Sequence, residues 1–142
     1  MPEINIALIG HKFMGKAHSN AWRQVGRFFP GKFTPRLKVI CGKACTEELE
    51  ATAKQFGWEE SECDWRKVIA RKDIDVVDIC TPGHLHCKMA VAAAQAGKHI
   101  LCEKPLANSL AEAKDMLRAA EKAGIKHYVN FNYRRVPAIA FA

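Results

Sequence analysis

No apolar run in this 142-residue chain approaches the roughly 20 residues that a membrane-spanning helix needs, so a transmembrane segment is not expected. Low-complexity tracts, internal repeats and linkers are absent as well. With 49% apolar and 26% charged residues, the chain is not disordered but has the profile of a globular protein. The first residues, Met1-Pro2-Glu3, open acidic rather than basic, which does not fit a signal peptide. There is no C-x2-C pair, and the groupings that might replace one (His84 and His86 with Cys87, or Cys41 with Cys45) fall on separate elements, so no metal site is expected. The six cysteines at 41, 45, 63, 80, 87 and 102 are read as reduced thiols of a cytoplasmic protein, since at least three lie in or beside apolar runs. The net charge of +7, from 22 basic and 15 acidic residues, is spread over every segment without a nucleic-acid-binding motif, which argues against a nucleic-acid partner.

What is present is an alternation of short apolar runs with longer helical ones. Ile4–Ile9 reads as a buried strand stopping at Gly10, followed by a helix from about Met14 to Val25 with Met14, Ala17, Ala21, Trp22 and Val25 on its inner face. A loop over 26–36 leads to a strand at 37–41, and Thr46 caps a helix over 47–56. Asp64 caps a short helix to Ala70, strands follow at 76–80 and 99–102 with a helix over 85–96 between them, and Ser109-Leu110-Ala111-Glu112 forms a capping box that opens a helix ending at Gly124. A fifth strand spans 126–130. Strands separated by helices predict an α/β fold, a doubly wound parallel sheet with helices on both faces.

In such a sheet, ligands bind beyond the carboxyl ends of the strands. After the first strand stands Gly10-His11-Lys12-Phe13-Met14-Gly15, a G-x-G-x-x-G dinucleotide fingerprint with Lys12 in place of the middle glycine. Gly10 permits the tight turn, Gly15 the close helix–strand approach, and the helix start offers free amides to a pyrophosphate. The Lys12 side chain either pairs with a phosphate or points away. After the second strand, Gly42-Lys43 stands where an NAD site usually has an acid for the ribose hydroxyls. Lys43 suits a 2′-phosphate, pointing to NADP, unless it is a solvated loop charge. Thr81 and Pro82 follow the third strand, with His86 near the next helix start, and Glu103-Lys104-Pro105 follows the fourth. A lysine so placed can donate to a substrate oxygen, although Glu-Lys pairs are common on surfaces.

Four segments together resemble the glucose–fructose oxidoreductase / inositol dehydrogenase / rhizopine-catabolism (Gfo/Idh/MocA) family of NAD(P)-dependent sugar and polyol dehydrogenases. They are residues 7–18, Cys80-Thr81-Pro82-Gly83-His84-Leu85-His86, residues 96–107 with Gly97-Lys98-His99 and Glu103-Lys104-Pro105-Leu106-Ala107, and Asn130-Phe131-Asn132-Tyr133-Arg134-Arg135-Val136-Pro137. The resemblance implies a Rossmann domain with Gly10, His11, Lys12, Phe13, Met14 and Gly15 at the pyrophosphate. It further implies that Thr81, Pro82 and His86 lie along the cofactor, with Glu103 and Lys104 at the nicotinamide ribose and Asn132 and Arg134 near it. Lys104 takes the catalytic role of hydrogen-bonding the reacting hydroxyl.

Family members continue into a substrate domain. The expectation is therefore a dinucleotide-binding domain over 1–136 and the start of an interdomain helix over 137–142, without the substrate domain. Such a chain binds NADP, or NAD, and turns over poorly alone; the alternative is a non-catalytic dinucleotide-binding module. Its sugar or polyol substrate belongs to the full-length enzyme. Val136, Ile139 and Phe141 are expected to be exposed, favouring a homodimer or a frayed tail.

Overall fold

Apolar runs too short to hide themselves, spaced by capped helices, can bury both faces only as the middle layer of a parallel α/β sandwich. The computed structural model, which describes residues 1–142, has that architecture. Its strands are β1 (Glu3–Ile9), β2 (Thr34–Cys41), β3 (Glu60–Glu62), β4 (Val76–Ile79), β5 (His99–Glu103) and β6 (His127–Asn130). The helices are α1 (Phe13–Phe28), α2 (Glu47–Phe56), α3 (Trp65–Ala70), α4 (His86–Gln95), α5 (Leu110–Ala123) and α6 (Pro137–Ala140), with 3-10 turns at Gly83–Leu85 and Asn132–Arg135. No helix is long and apolar enough to cross a membrane.

The sheet order is β3-β2-β1-β4-β5-β6 and every neighbouring pair is parallel. This is the Rossmann order, and it reverses between β1 and β4. One face packs Ala7, Val77, Ile79 and Cys102 against α3, α4 and α5 residues such as Val68, Met89, Ala93 and Met116. The other packs Ile6, Leu8 and Ile40 against Leu49, Ala53 and Trp58. The caps read from sequence are in place: Thr46 accepts from the Leu49 amide, Asp64 from the Arg66 amide and Ser109 from the Glu112 amide. The Glu112 carboxylate, however, reaches the Asn108 amide rather than that of Ser109.

Four features differ from the sequence reading. The sheet has a sixth strand, β3, whose Glu-Ser-Glu sequence carries no apolar signal because it is a three-residue edge pairing only with Val39–Cys41. β2 starts at Thr34, since Pro35 sits where β3 no longer pairs and needs no partner for a missing N–H. The buried face of α1 runs through Gly15, His18 and Ser19, leaving Ala17 and Ala21 exposed. Hydrogen bonds make this possible: Ser19 Oγ donates to the Gly15 carbonyl (2.7 Å) and accepts from Trp58 Nε1 (3.0 Å). Finally, the expectation of six free thiols is corrected. Cys45 and Cys63 form a disulfide that ties the loop after β2 to the loop after β3, while Cys41, Cys80, Cys87 and Cys102 are free.

The contact that sets the position of α1 is made by two glycines. A Cβ on Gly15 would lie 1.9 Å from the Gly10 carbonyl oxygen, and one on Gly10, whose φ is 109°, would lie 2.7 Å from the Cys80 carbonyl. Gly26, on the same helix, has open space around it. Gly15→Ala is therefore expected to destabilise the chain by at least about 2 kcal/mol, whereas Gly26→Ala gains up to about 1 kcal/mol. Urea denaturation of the two variants beside the parent checks this, and equal midpoints would contradict the glycine contact.

Candidate functional site

The loops leaving β2, β1, β4 and β5 stand side by side along the carboxyl edge of the sheet. Gly42 follows β2, Gly10 follows β1, Thr81 follows β4 and Lys104 follows β5. The register is kept past the strand ends, with the Gly10 amide donating to the Cys41 carbonyl and the Cys80 amide to the Ile9 carbonyl, both at 2.8 Å. Three strand spacings of about 4.8 Å separate the first loop from the last, so the crevice is roughly 14 Å long.

At its centre lies the start of α1. No side chain caps this 16-residue helix and no acidic residue occupies its first turn, so its leading amides and positive dipole end face the crevice unclaimed. Lys12, standing in for the fingerprint's middle glycine, is exposed and its ammonium pairs with Glu48 on α2. The side chain thus leans toward the β2 end of the crevice. His11 is packed beside Gly42, whose added Cβ would lie 3.0 Å from His11 Nδ1. His11 is buried, yet Nε2 has no hydrogen-bond partner in the protein. Burial first, and the cations of Lys12 and Lys16, hold its pKa below the ordinary 6.5, partly opposed by Glu48. Phe13 is exposed, Met14 half-buried and Lys43 exposed.

At the β5 end, a charged cluster is buried beneath α1. His18 Nδ1 lies 2.9 and 3.0 Å from the two oxygens of Asp78, and Nε2 lies 3.1 Å from Glu103 Oε1 and 3.0 Å from Asn130 Nδ2. Asp78 is fully buried on β4 and also accepts from Trp22 Nε1 (2.8 Å). Glu103 is 4% exposed and accepts from Asn130 Nδ2 on β6, while its other oxygen accepts the Lys104 amide at 3.1 Å. Burial opposes the charge on His18, but hydrogen bonds to Asp78 and Glu103 and the charges of both raise its pKa above the ordinary 6.5. The thiol of Cys80 lies 3.5 Å from Asp78 Oδ1, so His18, Asp78 and Cys80 lie close enough to form a metal-like grouping. The His18 and Asp78 atoms are already engaged in hydrogen bonds, and burial first, then the Asp78 charge, pushes the thiol pKa well up.

The predicted residues are therefore placed unevenly. Gly10, Gly15, Gly42, Thr81, Glu103 and Lys104 converge on one edge, with the Lys104 side chain exposed and its peptide bond to Pro105 cis. Pro82 is exposed beside Thr81. Asn132 and Arg134 lie on the exposed turn directly after β6. His86 departs from the expectation: it is 1% exposed, and both ring nitrogens are taken up, by the Thr81 carbonyl (2.7 Å) and the Pro105 carbonyl (2.9 Å). It shapes the crevice through those two turns instead of facing it. Asp78 and His18 were missed. An aspartate inside Val76-Val77-Asp78-Ile79 was the available signal, since a charge in a strand buried on both faces requires a partner.

Comparison with known proteins agrees with this fold. Residues 4–131 match the family described as "Oxidoreductase family, NAD-binding Rossmann fold". The chain is 51% identical, over its whole length, to levoglucosan dehydrogenase of Pseudarthrobacter phenanthrenivorans and covers 36% of that protein. It is 35% identical to D-apiose dehydrogenase of Paraburkholderia graminis over 94% of its length, covering 33% of that relative. Among solved structures, levoglucosan dehydrogenase in complex with NADH and L-sorbose matches with a TM-score of 0.93 at 50% identity, over 99% of this chain and 38% of that one. The same enzyme with NADH and levoglucosan matches with a TM-score of 0.92. The chain thus spans little more than a third of the length of these relatives.

The His18 cluster has a consequence for stability. A raised folded-state pKa adds stability that is fully present below pH 6.5 and is lost as pH climbs through the folded value. Urea midpoints of the chain are expected to fall from about pH 6.5 upward, and His18→Gln should flatten that slope. An unchanged slope in the variant would show that His18 is not its source.

Proposed function

The chain belongs to the Gfo/Idh/MocA oxidoreductase family with its NAD-binding Rossmann fold, and from that premise we propose that it is the nucleotide-binding part of an NAD(P)-dependent sugar or polyol dehydrogenase. The observation that carries this reading is the uncapped start of α1, opening at the switch point of the sheet midway along a crevice that ends at Lys104. Residues 1–136 then form the dinucleotide-binding domain, and 137–142 begin the helix toward the substrate domain.

The protein's groups fit a dinucleotide laid from β2 to β5. The amides at the start of α1, backed by the Gly10–Gly15 contact, receive the pyrophosphate. At the β2 end, Gly42 packs closely on His11, Leu49 and the Ala44 carbonyl to form the turn beside which the adenosine ribose would lie, and Nε2 of His11 is a buried polar atom without a partner in the protein. At the β5 end, Thr81 and the Glu103-Lys104 turn stand beside the nicotinamide half, with Asn132 and Arg134 beyond. A nicotinamide bound there would supply hydride-transfer chemistry at a carbinol carbon of the substrate. The Lys104 ammonium would donate a hydrogen bond to the reacting oxygen, polarising the carbon–oxygen bond. Holding the substrate in line requires walls beyond this crevice, so the chain alone binds cofactor without appreciable turnover.

For the adenosine end, Cys41-Gly42-Lys43 has no carboxylate to repel a 2′-phosphate, and Lys43 adds a cation; this is what supports NADP. The NADH complexes of relatives half identical to this chain support NAD. Acceptance of both fits the two observations together. Self-association through the exposed Val136, Ile139 and Phe141 is part of the same proposal, and a purely monomeric sedimentation profile would remove it.

Fluorescence titrations with NADH and NADPH, side by side, test the assignment. Saturable binding of both is expected, with dissociation constants within about tenfold of each other, or about 1.4 kcal/mol. Absence of binding to either would overturn the cofactor site, and rejection of NADPH alone would overturn the reading of Gly42-Lys43. Turnover of levoglucosan by this chain would overturn its reading as the cofactor part only.

A further inference from the structure

We propose that His18 is a positioning residue for Lys104, acting from beneath the sheet edge through the carboxylate of Glu103. The inference rests on the reading of Lys104 given above, and it deepens that reading by assigning a function to the buried cluster behind the Glu103-Lys104 turn.

The two oxygens of Glu103 have separate tasks. Oε1 receives His18 Nε2 and Asn130 Nδ2; Oε2 receives the Lys104 amide. Rotation of the carboxylate would break both sets at once, so whatever fixes Oε1 also fixes the amide from which the Lys104 side chain departs. His18 is itself fixed at its other nitrogen by Asp78, which Trp22 holds in turn. The result is an unbroken series of contacts from α1 through β4 to the turn after β5. On the far flank, His86 holds the Pro105 carbonyl, so the backbone is gripped on both sides of Lys104 while its side chain stays exposed.

A merely structural account is less satisfying here. Two carboxylates and an imidazole under a helix are costly to bury, and apolar side chains of the same volume would serve packing as well or better. Such a cluster is, however, a way to fix a direction. An ionic hydrogen bond is short and oriented, whereas apolar contacts let a neighbouring turn slide.

The state of the cluster also depends on His18 carrying its proton. The groups facing it are Asp78 and the Cys80 thiol from β4 and its exit, Glu103 from β5, Asn130 from β6, and Trp22 on its own helix. Burial and the neighbouring acids push the Cys102 thiol up to about 12, and the Cys80 thiol higher still. Neither thiol titrates near neutrality. Loss of the His18 proton leaves two facing carboxylates without the cation between them, and Glu103 is then held only by Asn130 and the Lys104 amide.

Amide NMR spectra of the 142-residue chain across pH, recorded with NADH titrations at the same pH values, test the proposal. The Lys104 amide is expected to shift with the midpoint of the His18 ring nitrogens. NADH affinity should fall at least threefold through that midpoint. In His18→Gln the amide should sit at its high-pH position throughout, and the affinity should be low and independent of pH. A Lys104 amide that stays still while His18 titrates in the parent chain would overturn the proposal, whether or not the variant folds. If the parent binds no NADH at any pH, the dinucleotide reading fails, and the amide titration still decides the role of His18. A His18 that served packing alone would lower the melting temperature of the variant and leave the amide of Lys104 uncoupled from the ring.

Discussion

Everything at the carboxyl edge of this sheet depends on how closely α1 lies on the turn after β1, and that closeness rests on the absence of a side chain at Gly15, beside the Gly10 carbonyl. If α1 stood off by the width of a methyl group, its leading amides would no longer open between β1 and β4. The same displacement would carry His18, one turn further along, away from Asp78 and Glu103. One steric constraint therefore serves two sites of different character. The helix start is solvent-facing and waits for an anion, while the inner face carries a buried charge cluster that is already satisfied.

The two ends of the crevice are built in contrasting ways. Near β2, the residues are exposed or held by surface pairs such as Lys12–Glu48, and His11 retains an unpartnered nitrogen. Near β5, nearly every polar atom is accounted for, by His18 on Glu103 and by His86 on Thr81 and Pro105. A crevice arranged like this grips one half of a ligand by a preorganised frame and leaves the other half to adjust. Polar groups are thus fixed in advance at the β5 end, while the β2 end keeps freedom to adjust.

The sequence is most readable where structure depends on near neighbours. The turn at Gly10–Gly15, the caps at Thr46, Asp64 and Ser109, and the closing glycines Gly97 and Gly124 with their positive φ are all local, and they mark out most of the elements. Features set by distant parts of the chain are not readable in this way. β3 consists of polar residues because it lies at an edge, so periodicity overlooks it. The Cys45–Cys63 bridge depends on two loops from different crossovers meeting in space. An apolar count put Ala17 and Ala21 on the inner face of α1, because it cannot know that His18 and Ser19 find partners below. Asp78 is a long-range feature with a local signal, a charge inside a buried strand, that the sequence reading above does not use.

The short β3 has one more consequence. A sheet with free margins can in principle recruit strands from other chains, and proteins protect themselves by making margins brief or charged. Here one margin is Glu60-Ser61-Glu62, three residues long and acidic, with Glu60 bound to Arg71. The opposite margin is His127-Tyr128-Val129-Asn130, uncharged apart from its histidine and backed by the half-apolar face of α5. The sheet is thus asymmetric as a template for growth. Lateral pairing is disfavoured beside β3, while β6 carries no comparable acidic guard.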